Sequence, residues 1–327
     1  DLLRDLCPDL AQGYDAKPCV MLPLAARLAG TGTRTIRTIC GRGWVYSPGS
    51  LAAMAVRPAY HIIHRIVSRS TAATIFEIDD DWMFFDRNGI TGKNGIVIPA
   101  GGGGIDDEGF ERSLFASASR EDVRDAFGLS NAEIVITVGR MTRQKGIPTL
   151  LKAAAIVHAK RPAVRFLLVG PRQSEGPWAV SQAELDSHKP YAICTGPRSD
   201  IPALLRAADV FAFPTEYREG VPRVLLEAAM AGLPIVATSM PGCCAFIRDG
   251  WNGRLVPPGE PEALAKRILE TLENRAVAPE MSSRARELAK RRFSLTAIVQ
   301  KQVALYRELL SEMPGRWTCA GQKILPL

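Results

Sequence analysis

The sequence has no long apolar run. Its longest uncharged stretch lies between Glu227 and Arg248, and glycine and proline residues interrupt it, so no transmembrane helix is predicted. The start shows no basic segment followed by an apolar one, and no secretory signal is predicted. With 327 residues, 46% of them apolar and 23% charged, the chain is expected to form two globular domains.

Several motifs of common enzyme classes are also missing. The seven cysteines form no C-x-x-C pair and no metal-like spacing with the four histidines, which favours a reduced cytoplasmic protein without a metal centre. The glycine run at 101–104 does not complete a dinucleotide fingerprint, because Asp106 stands at the sixth position. A G-x-S-x-G motif is absent, which removes the commonest hydrolase signature.

Short apolar runs alternate with helical patterns over residues 131–310. Weakly charged strands between helices indicate a parallel sheet covered on both faces, and ligands of such sheets bind beyond the carboxyl ends of the strands. The predicted strands are at 134–138, 166–169, 192–194, 210–213, 235–237 and 254–256. The predicted helices are at 147–158, 201–207, 222–231, 261–272, 282–291 and 295–310.

A basic loop follows the first of these strands. It contains Gly139, Arg140, Lys145 and Gly146 and precedes a helix. Backbone N–H groups and cations at a helix start suit an anion, although a solvated basic loop is the alternative. The spacing is not that of a Walker loop.

Two carboxylates, Glu219 and Glu227, flank the start of the helix predicted at 222–231. Glu219 lies at the carboxyl edge of the sheet, where it can accept hydrogen bonds from sugar hydroxyls. Glu227 lies in an otherwise apolar helix, and burying its charge is costly without partners. Two exposed glutamates beside a buried helix are the alternative.

The first 115 residues are less regular. Strands are predicted at 35–40, 73–78 and 95–99, and a helix at 52–69. The basic and apolar segment 51–70 is either a solvated helix face or a face that meets anionic lipid. The acidic run Glu77, Asp79, Asp80 and Asp81 is interpreted as a solvated loop, with a hard-cation site as the alternative.

Seven motifs in one order closely resemble the carboxyl-terminal domain of glycosyltransferase family 4, retaining enzymes of the GT-B fold. Segments upstream more faintly resemble the later part of the family's amino-terminal domain. The motifs lie at 139–146, 166–170, 201–210, 213–215, 219–227, 231–238 and 249–259.

The resemblance implies a donor site that needs neither metal nor cofactor. Arg140 and Lys145 would hold the donor diphosphate, and Glu227 would accept from the ribose hydroxyls. Glu219 would be the catalytic residue that meets the sugar. Backbone groups near Arg223 and Val224 would face the phosphates, and the loop around Gly196 and Arg198 would lie near the base. Gly139 and Gly220 complete the implied donor set.

The resemblance also implies two facing Rossmann-like α/β domains, the first of them incomplete. We expect an amino-terminal, acceptor-side domain at 1–115, a nucleotide-sugar domain with a terminal crossover helix at 116–310, and a tail at 311–327. Two positions depart from the family. Cys40 stands where similar enzymes place His, and Cys244-Ala245 stand where they place Arg-Glu.

The predicted function is retaining transfer of a hexose from a UDP-sugar to a glycan or polyprenyl-linked acceptor, in polysaccharide biosynthesis. The formal net charge of +7 agrees with anionic partners such as nucleotides or a membrane surface. We expect a cytoplasmic protein at the inner face of the plasma membrane and no nucleic-acid partner. Two alternatives stay open: a non-catalytic nucleotide-binding remnant, and a glycoside hydrolase that uses Glu219 and Glu227.

Overall fold

The structure is a computed structural model, and it describes residues 1–46, 51–99, 103–174, 176–274 and 277–312. Ten β-strands form two parallel sheets. The strands are β1 Leu10–Tyr14, β2 Arg34–Ile39, β3 Ala73–Phe76, β4 Gly95–Val97, β5 Glu133–Val138, β6 Val164–Val169, β7 Ala192–Gly196, β8 Val210–Phe213, β9 Ile235–Thr238 and β10 Arg254–Val256.

The α-helices alternate with these strands along the described chain. They are α1 Leu2–Leu6, α2 Ala16–Ala29, α3 Leu51–Ser68, α4 Asp79–Arg87, α5 Asp107–Ala116, α6 Arg120–Ala126, α7 Ile147–Lys160, α8 Gln182–Asp186, α9 Ile201–Ala207, α10 Arg223–Met230, α11 Pro241–Cys244, α12 Pro261–Glu273, α13 Ala278–Phe293 and α14 Leu295–Ser311. Short 3-10 helices lie at Trp44–Tyr46 and Arg143–Lys145.

The carboxyl-terminal sheet has six strands in the order β10-β9-β8-β5-β6-β7. Its strands are almost uncharged and buried, because helices cover both faces. The chain runs outward from β5 in one direction to β7, then returns to the other side of β5 at β8. The order therefore reverses between β5 and β8, and such a switch point opens a crevice at the strand ends.

The predicted strands and helices of this half are all present, with ends shifted by a few residues. The helix predicted at 282–291 is longer, since α13 begins at Ala278. Ser294 caps α14 as expected for a serine before a helix, accepting from the Ala297 N–H at 3.2 Å. The predicted tail at 311–327 lies mostly outside the described residues.

The amino-terminal sheet has four strands in the order β1-β2-β3-β4, all parallel. Strand β1 and helix α2 were not predicted. The solvated loop expected at Asp79, Asp80 and Asp81 is wrong, because these residues form the first turn of α4. Acidic side chains stabilise a helix N-terminus through the helix dipole, which is the physical reason for the difference.

The two halves are joined by two adjacent chain crossings. The Ile105 N–H donates to Phe293 O at 2.8 Å, and the Leu295 N–H donates to Ile105 O at 2.7 Å. Helix α14 then returns to the first sheet, where Tyr306 donates to the side chain of Gln12 and Arg34 pairs with Glu312 at 3.0 Å. Buried apolar residues of both sheets belong to one continuous core.

Candidate functional site

The candidate site lies at the switch point between β5 and β8. The basic loop follows β5, and the loop that carries Glu219 follows β8. The two loops touch: Gly146 has a φ of 68°, and a Cβ at this position would lie 1.8 Å from Pro214 O. Only glycine allows this contact and this backbone conformation together, so the loop after β5 is fixed against the loop after β8.

Lys145 and Glu219 meet where these loops touch. The Lys145 Nζ lies 2.6 Å from Glu219 Oε1, and the Thr215 hydroxyl donates to the same oxygen at 3.2 Å. The Lys145 ammonium also lies 5.4 Å from the centre of the Phe213 ring. The cation and the carboxylate predicted from separate motifs therefore form one ion pair at the sheet edge.

Glu227 lies one turn into α10. Arg223 Nε lies 3.3 Å from Glu227 Oε1, an i, i+4 pair across that turn. Burial raises the pKa of Glu227, and the nearby Arg223 charge opposes this rise. The carboxylate is half-buried with a single exposed cation as its partner, which leaves it capacity to accept further hydrogen bonds.

A cleft of about 510 Å³ separates the two halves beside this site. Its carboxyl-terminal wall includes Arg223 and its neighbours at the start of α10. Its amino-terminal wall carries the ends of β1, β2 and β3. The lining residues are Tyr14, Cys40, Glu77, Gly103, Gly104, Val221, Arg223 and Leu226.

Glu77 is a cleft residue that the sequence did not single out as a sugar or nucleotide contact. Burial, together with the charges of Asp81 and Glu219, raises the pKa of Glu77, and the neighbouring Cys40 thiol opposes this rise. A Cβ on Gly220 would lie 1.7 Å from Glu77 Oε2, so the carboxylate rests against the backbone of the Glu219 loop. The sequence signal that could have identified Glu77 is its position directly after β3, because ligands of parallel sheets bind at the carboxyl ends of the strands.

Asp80 and Asp81 form ion pairs across the boundary between the two halves. Arg42 Nε lies 3.0 Å from Asp81 Oδ1, and Arg218 from the Glu219 loop pairs with both aspartates. The sequence offered a hard-cation site as the alternative interpretation of this acidic run. In the structure, the positive charges beside Asp80 and Asp81 are those of arginine side chains. Among the described residues, no three His, Cys, Asp or Glu side chains are grouped to hold a metal ion.

The two other arginines predicted to contact the donor, Arg140 and Arg198, are exposed to solvent. Arg140 is exposed directly after Gly139. Arg198 follows Gly196 at the end of β7 and is exposed, and its guanidinium pairs with Asp200 at 2.6 Å. The structure thus brings Lys145 into contact with Glu219, beside Gly220, and pairs Glu227 with Arg223 at the start of α10, whereas Arg198 is engaged within its own loop.

Chemically, the crevice combines a cation, a helix N-terminus and carboxylates within one region. Lys145 and the first N–H groups of α10 can stabilise an anion, because both present positive charge there. Glu219, Glu227 and Glu77 offer acceptors for hydroxyl groups. Such a set suits a ligand with phosphates at one end and hydroxyls on both sides.

Comparison with known proteins gives this region a family. The model of the family "Glycosyl transferases group 1" matches residues 132–274, the segment that contains Lys145, Glu219 and Glu227. The capsular polysaccharide biosynthesis glycosyltransferase CapM of Staphylococcus aureus is 25% identical over 188 residues, 58% of this chain and 49% of CapM. The chain spans about half the length of the first curated relatives that it matches.

Some likenesses extend over nearly the whole chain. The N,N'-diacetylbacillosaminyl-diphospho-undecaprenol alpha-1,3-N-acetylgalactosaminyltransferase of Campylobacter jejuni is 25% identical over 312 residues, 95% of this chain and 80% of the relative. The crystal structure of Anabaena HepE in complex with UDP has a TM-score of 0.76 at 22% identity, covering 95% of this chain and 80% of HepE. Residues 132–274 are thus similar to the group 1 glycosyl transferases, and the fold of the chain is GT-B.

Proposed function

We propose that the protein is a retaining glycosyltransferase that moves a hexose from a UDP-sugar to a glycan or polyprenyl-linked acceptor in polysaccharide biosynthesis. The observation that carries the proposal is the meeting of Lys145 and Glu219 at 2.6 Å beside the start of α10. Glu227, one turn further along that helix, completes a site shaped for diphosphate, sugar and ribose.

The leaving group explains why cations are placed here. When the bond between the anomeric carbon and the phosphate oxygen breaks, negative charge grows on the nucleoside diphosphate. Lys145 and the α10 N–H groups stabilise that charge, and preorganised donors of this kind are worth about 3 kcal/mol each. Arg140, exposed beside them, would add a further cation, and the proposal requires no metal.

Retention follows if the acceptor enters on the face from which the phosphate leaves. The acceptor oxygen then bonds to the anomeric carbon, and its proton passes to the departing phosphate oxygen. Glu219 would hold a hydroxyl of the donor sugar, since its carboxylate lies directly beside the Lys145 ammonium that would bind the phosphates. Glu77 would face the same sugar from the opposite wall, resting against Gly220.

UDP and a lipid-linked acceptor are supported by relatives rather than by this chain's own residues. HepE was crystallised with UDP, and the Campylobacter relative is named for an undecaprenol diphosphate acceptor. We propose the same classes here, which would place the protein at the cytoplasmic face of the plasma membrane. No helix among the described residues has the length and apolarity to cross a bilayer.

Calorimetric titration with UDP, and with GDP as the comparator, tests the donor site. We expect UDP to bind, and Lys145→Ala and Glu227→Ala each to weaken binding at least tenfold, about 1.4 kcal/mol. Lys152→Ala, an exposed lysine on α7, is the matched control and should leave binding unchanged. If UDP and GDP both fail to bind a folded sample, the proposal is wrong.

A non-catalytic nucleotide-binding remnant is the second candidate, favoured by Cys40 and Ala245 at positions where similar enzymes carry other residues. It shares the nucleotide site but predicts no transfer. Incubation with UDP-sugars and extracted lipid acceptors, followed by measurement of released UDP, separates the two. The glycoside hydrolase alternative would leave Lys145 without a role, and nucleotide-dependent turnover would exclude it.

A further inference from the structure

One part of the sequence is free of acidic residues. Between Asp15 and Glu77 the chain runs for 61 residues with eight lysines and arginines and no aspartate or glutamate. Arg37 is buried in the first sheet and Arg42 pairs with Asp80 and Asp81, so these two are used internally. Lys17 and Arg27 on α2, and Arg65 and Arg69 at the end of α3, are exposed.

Helices α2 and α3 lie side by side on one face of the first sheet. Each connects neighbouring parallel strands, β1 to β2 and β2 to β3, and such crossovers share one hand. Their inward residues, such as Cys19 and Val67, are buried. Their outward residues therefore form one continuous surface, which we name the α2–α3 face.

The α2–α3 face is unusually apolar. The described residues include 22 exposed large apolar side chains, and nine of these lie on α2 and α3. The two helices make up only about a tenth of the chain, so exposed apolar side chains are concentrated on them. On α3, Leu51 is 78% exposed and Ile62 is 59% exposed; on α2, Leu28 is 80% exposed. The nine are Met21, Leu24, Leu28, Leu51, Met54, Val56, Ile62, Ile63 and Ile66.

Exposed apolar area of this extent marks a surface that contacts something else. We propose that the α2–α3 face docks onto a membrane surface that contains anionic lipid. Apolar side chains on helices whose only charged residues are cations are suited to the interface of such a membrane, where the apolar groups enter the acyl boundary and the cations meet headgroups. Helix α3 is about 27 Å long, enough to lie along the interface over several lipids.

Charge decides between a membrane and a second copy of the chain. A symmetric dimer through this face would bring the cations of one copy towards those of the other, with no acidic residue on α2 or α3 of either copy to offset them. Anionic headgroups supply the missing opposite charge. The inference rests on the proposed function in one respect: a lipid-linked acceptor would be held at such a membrane surface. Binding of the protein to the membrane can be measured independently of sugar transfer.

Co-sedimentation with vesicles tests the inference. One set of vesicles is phosphatidylcholine alone, and the other contains about 30% phosphatidylglycerol. We expect at least tenfold tighter binding to the anionic vesicles, because each cation near such a surface is worth about 1 kcal/mol. Binding should weaken as salt is raised, since salt screens exposed charges.

Two double variants separate the contributions of charge and of apolar contact. Ile62→Ser with Ile66→Ser should reduce binding to anionic vesicles at least tenfold, and Arg27→Glu with Arg69→Glu should do the same. The matched controls lie outside the face: Phe115→Ser, 87% exposed on α5, and the exposed Lys152→Glu on α7. Both controls should bind vesicles like the parent, and thermal melting should show all variants folded.

The inference is overturned if the parent binds neither vesicle type, or if the face variants bind as the parent does. It is also overturned if light scattering shows a dimer that the Ile62→Ser, Ile66→Ser variant dissolves, because a second copy then covers the face. UDP titration of the same samples is the separate readout for the proposed function. Nucleotide binding without vesicle binding rejects only the docking face, and the converse rejects only the donor site.

Discussion

The two halves of the molecule use charge in opposite ways. In the carboxyl-terminal half the sheet is almost uncharged, and the ionised groups collect at the strand ends around Lys145 and Glu219. In the amino-terminal half, Arg37 lies inside the sheet and Asp81 lies buried in the first turn of α4. The carboxyl-terminal half thus has a continuous apolar core with its chemistry at one edge.

The amino-terminal half makes charged contacts with the other half and exposes apolar side chains on its outer helices. Asp81 has only 1% of its side chain exposed and its charge is met by Arg42 and, from the other half, by Arg218. Its outer helices present apolar groups to the surroundings. The comparison teaches that the Lys145–Glu219 pair, where we propose donor recognition, lies at the edge of a sheet with few charges, whereas a buried charge of the amino-terminal half is met partly from the other half.

The largest effect is expected where the carboxyl-terminal half has the tightest backbone contact. Gly146→Ala forces a Cβ onto Pro214 O at a positive φ, and should lower the free energy of unfolding by about 3 kcal/mol and abolish UDP binding. Urea denaturation and calorimetry measure the two. Gly232→Ala is the control, because it has a φ of 77° with open space around it and should cost about 1 kcal/mol. Equal losses in both variants would contradict the role of the contact.

The next effect concerns the ion pairs that join the halves. Asp81→Ala leaves Arg42 and Arg218 facing each other without a carboxylate between them at that position, and should destabilise the protein by about 2 kcal/mol. UDP affinity should change little, because the nucleotide groups lie in the other half. Asp79→Ala, exposed in the same helix turn, is the control, and an equal loss there would argue against the pairing.

A smaller effect follows from the buried carboxylate of Glu77. Its pKa is raised above the usual value near 4.5, so the folded state favours the protonated form. That contribution is complete below the pKa of the unfolded chain and is lost as pH rises through the raised pKa. Glu77→Gln should therefore be more stable than the parent by about 1 kcal/mol at pH 8 and equal to it near pH 4.

Thermal melting between pH 4 and pH 8 measures this difference. Glu121→Gln, exposed on α6, should show no such trend. If Glu77→Gln gains nothing at high pH, the carboxylate is not held in a costly ionised state. Loss of transfer activity in the stabilised variant would in addition support contact between Glu77 and the donor sugar.

The smallest effect is expected at Arg198. Its guanidinium is exposed and already paired with Asp200 at 2.6 Å, and exposed pairs contribute under about 1 kcal/mol. Arg198→Ala should weaken UDP binding less than threefold in calorimetry, against at least tenfold for Lys145→Ala. A loss as large as that of Lys145→Ala would mean that the base loop rearranges when nucleotide binds.

Sequence reasoning predicted the carboxyl-terminal half well because its signals are local. Each strand is a short apolar run, and the residues around Lys145 and Glu219 directly follow such runs. Helix α2 was not predicted because Pro18 and Pro23 interrupt its helical sequence pattern, although the structure is helical there with Pro23 inside the helix. Strand β1 escaped because Gln12 and Gly13 weaken its apolar character.

Glu77 could not be assigned from sequence for a different reason. Its neighbours include Cys40, which the pairing of β2 with β3 brings close, and the Glu219 loop, which only the facing of the two sheets brings close. The aspartates of α4 were interpretable as a helix start, but their pairing with Arg218 depends on the same facing. The roles expected for Arg140, Gly196 and Arg198 stay predictions.

The two crossings between the halves have a mechanical consequence. Because Ile105 exchanges backbone hydrogen bonds with Phe293 and Leu295, the outgoing and returning chains form a single strap. Any rotation of one sheet relative to the other must therefore twist these two hydrogen-bonded chain segments together. Such a rotation would change the width of the cleft between Glu77 and the start of α10. Arg218 and its two aspartates link the same two halves by ion pairs, so the rotation would also strain these pairs.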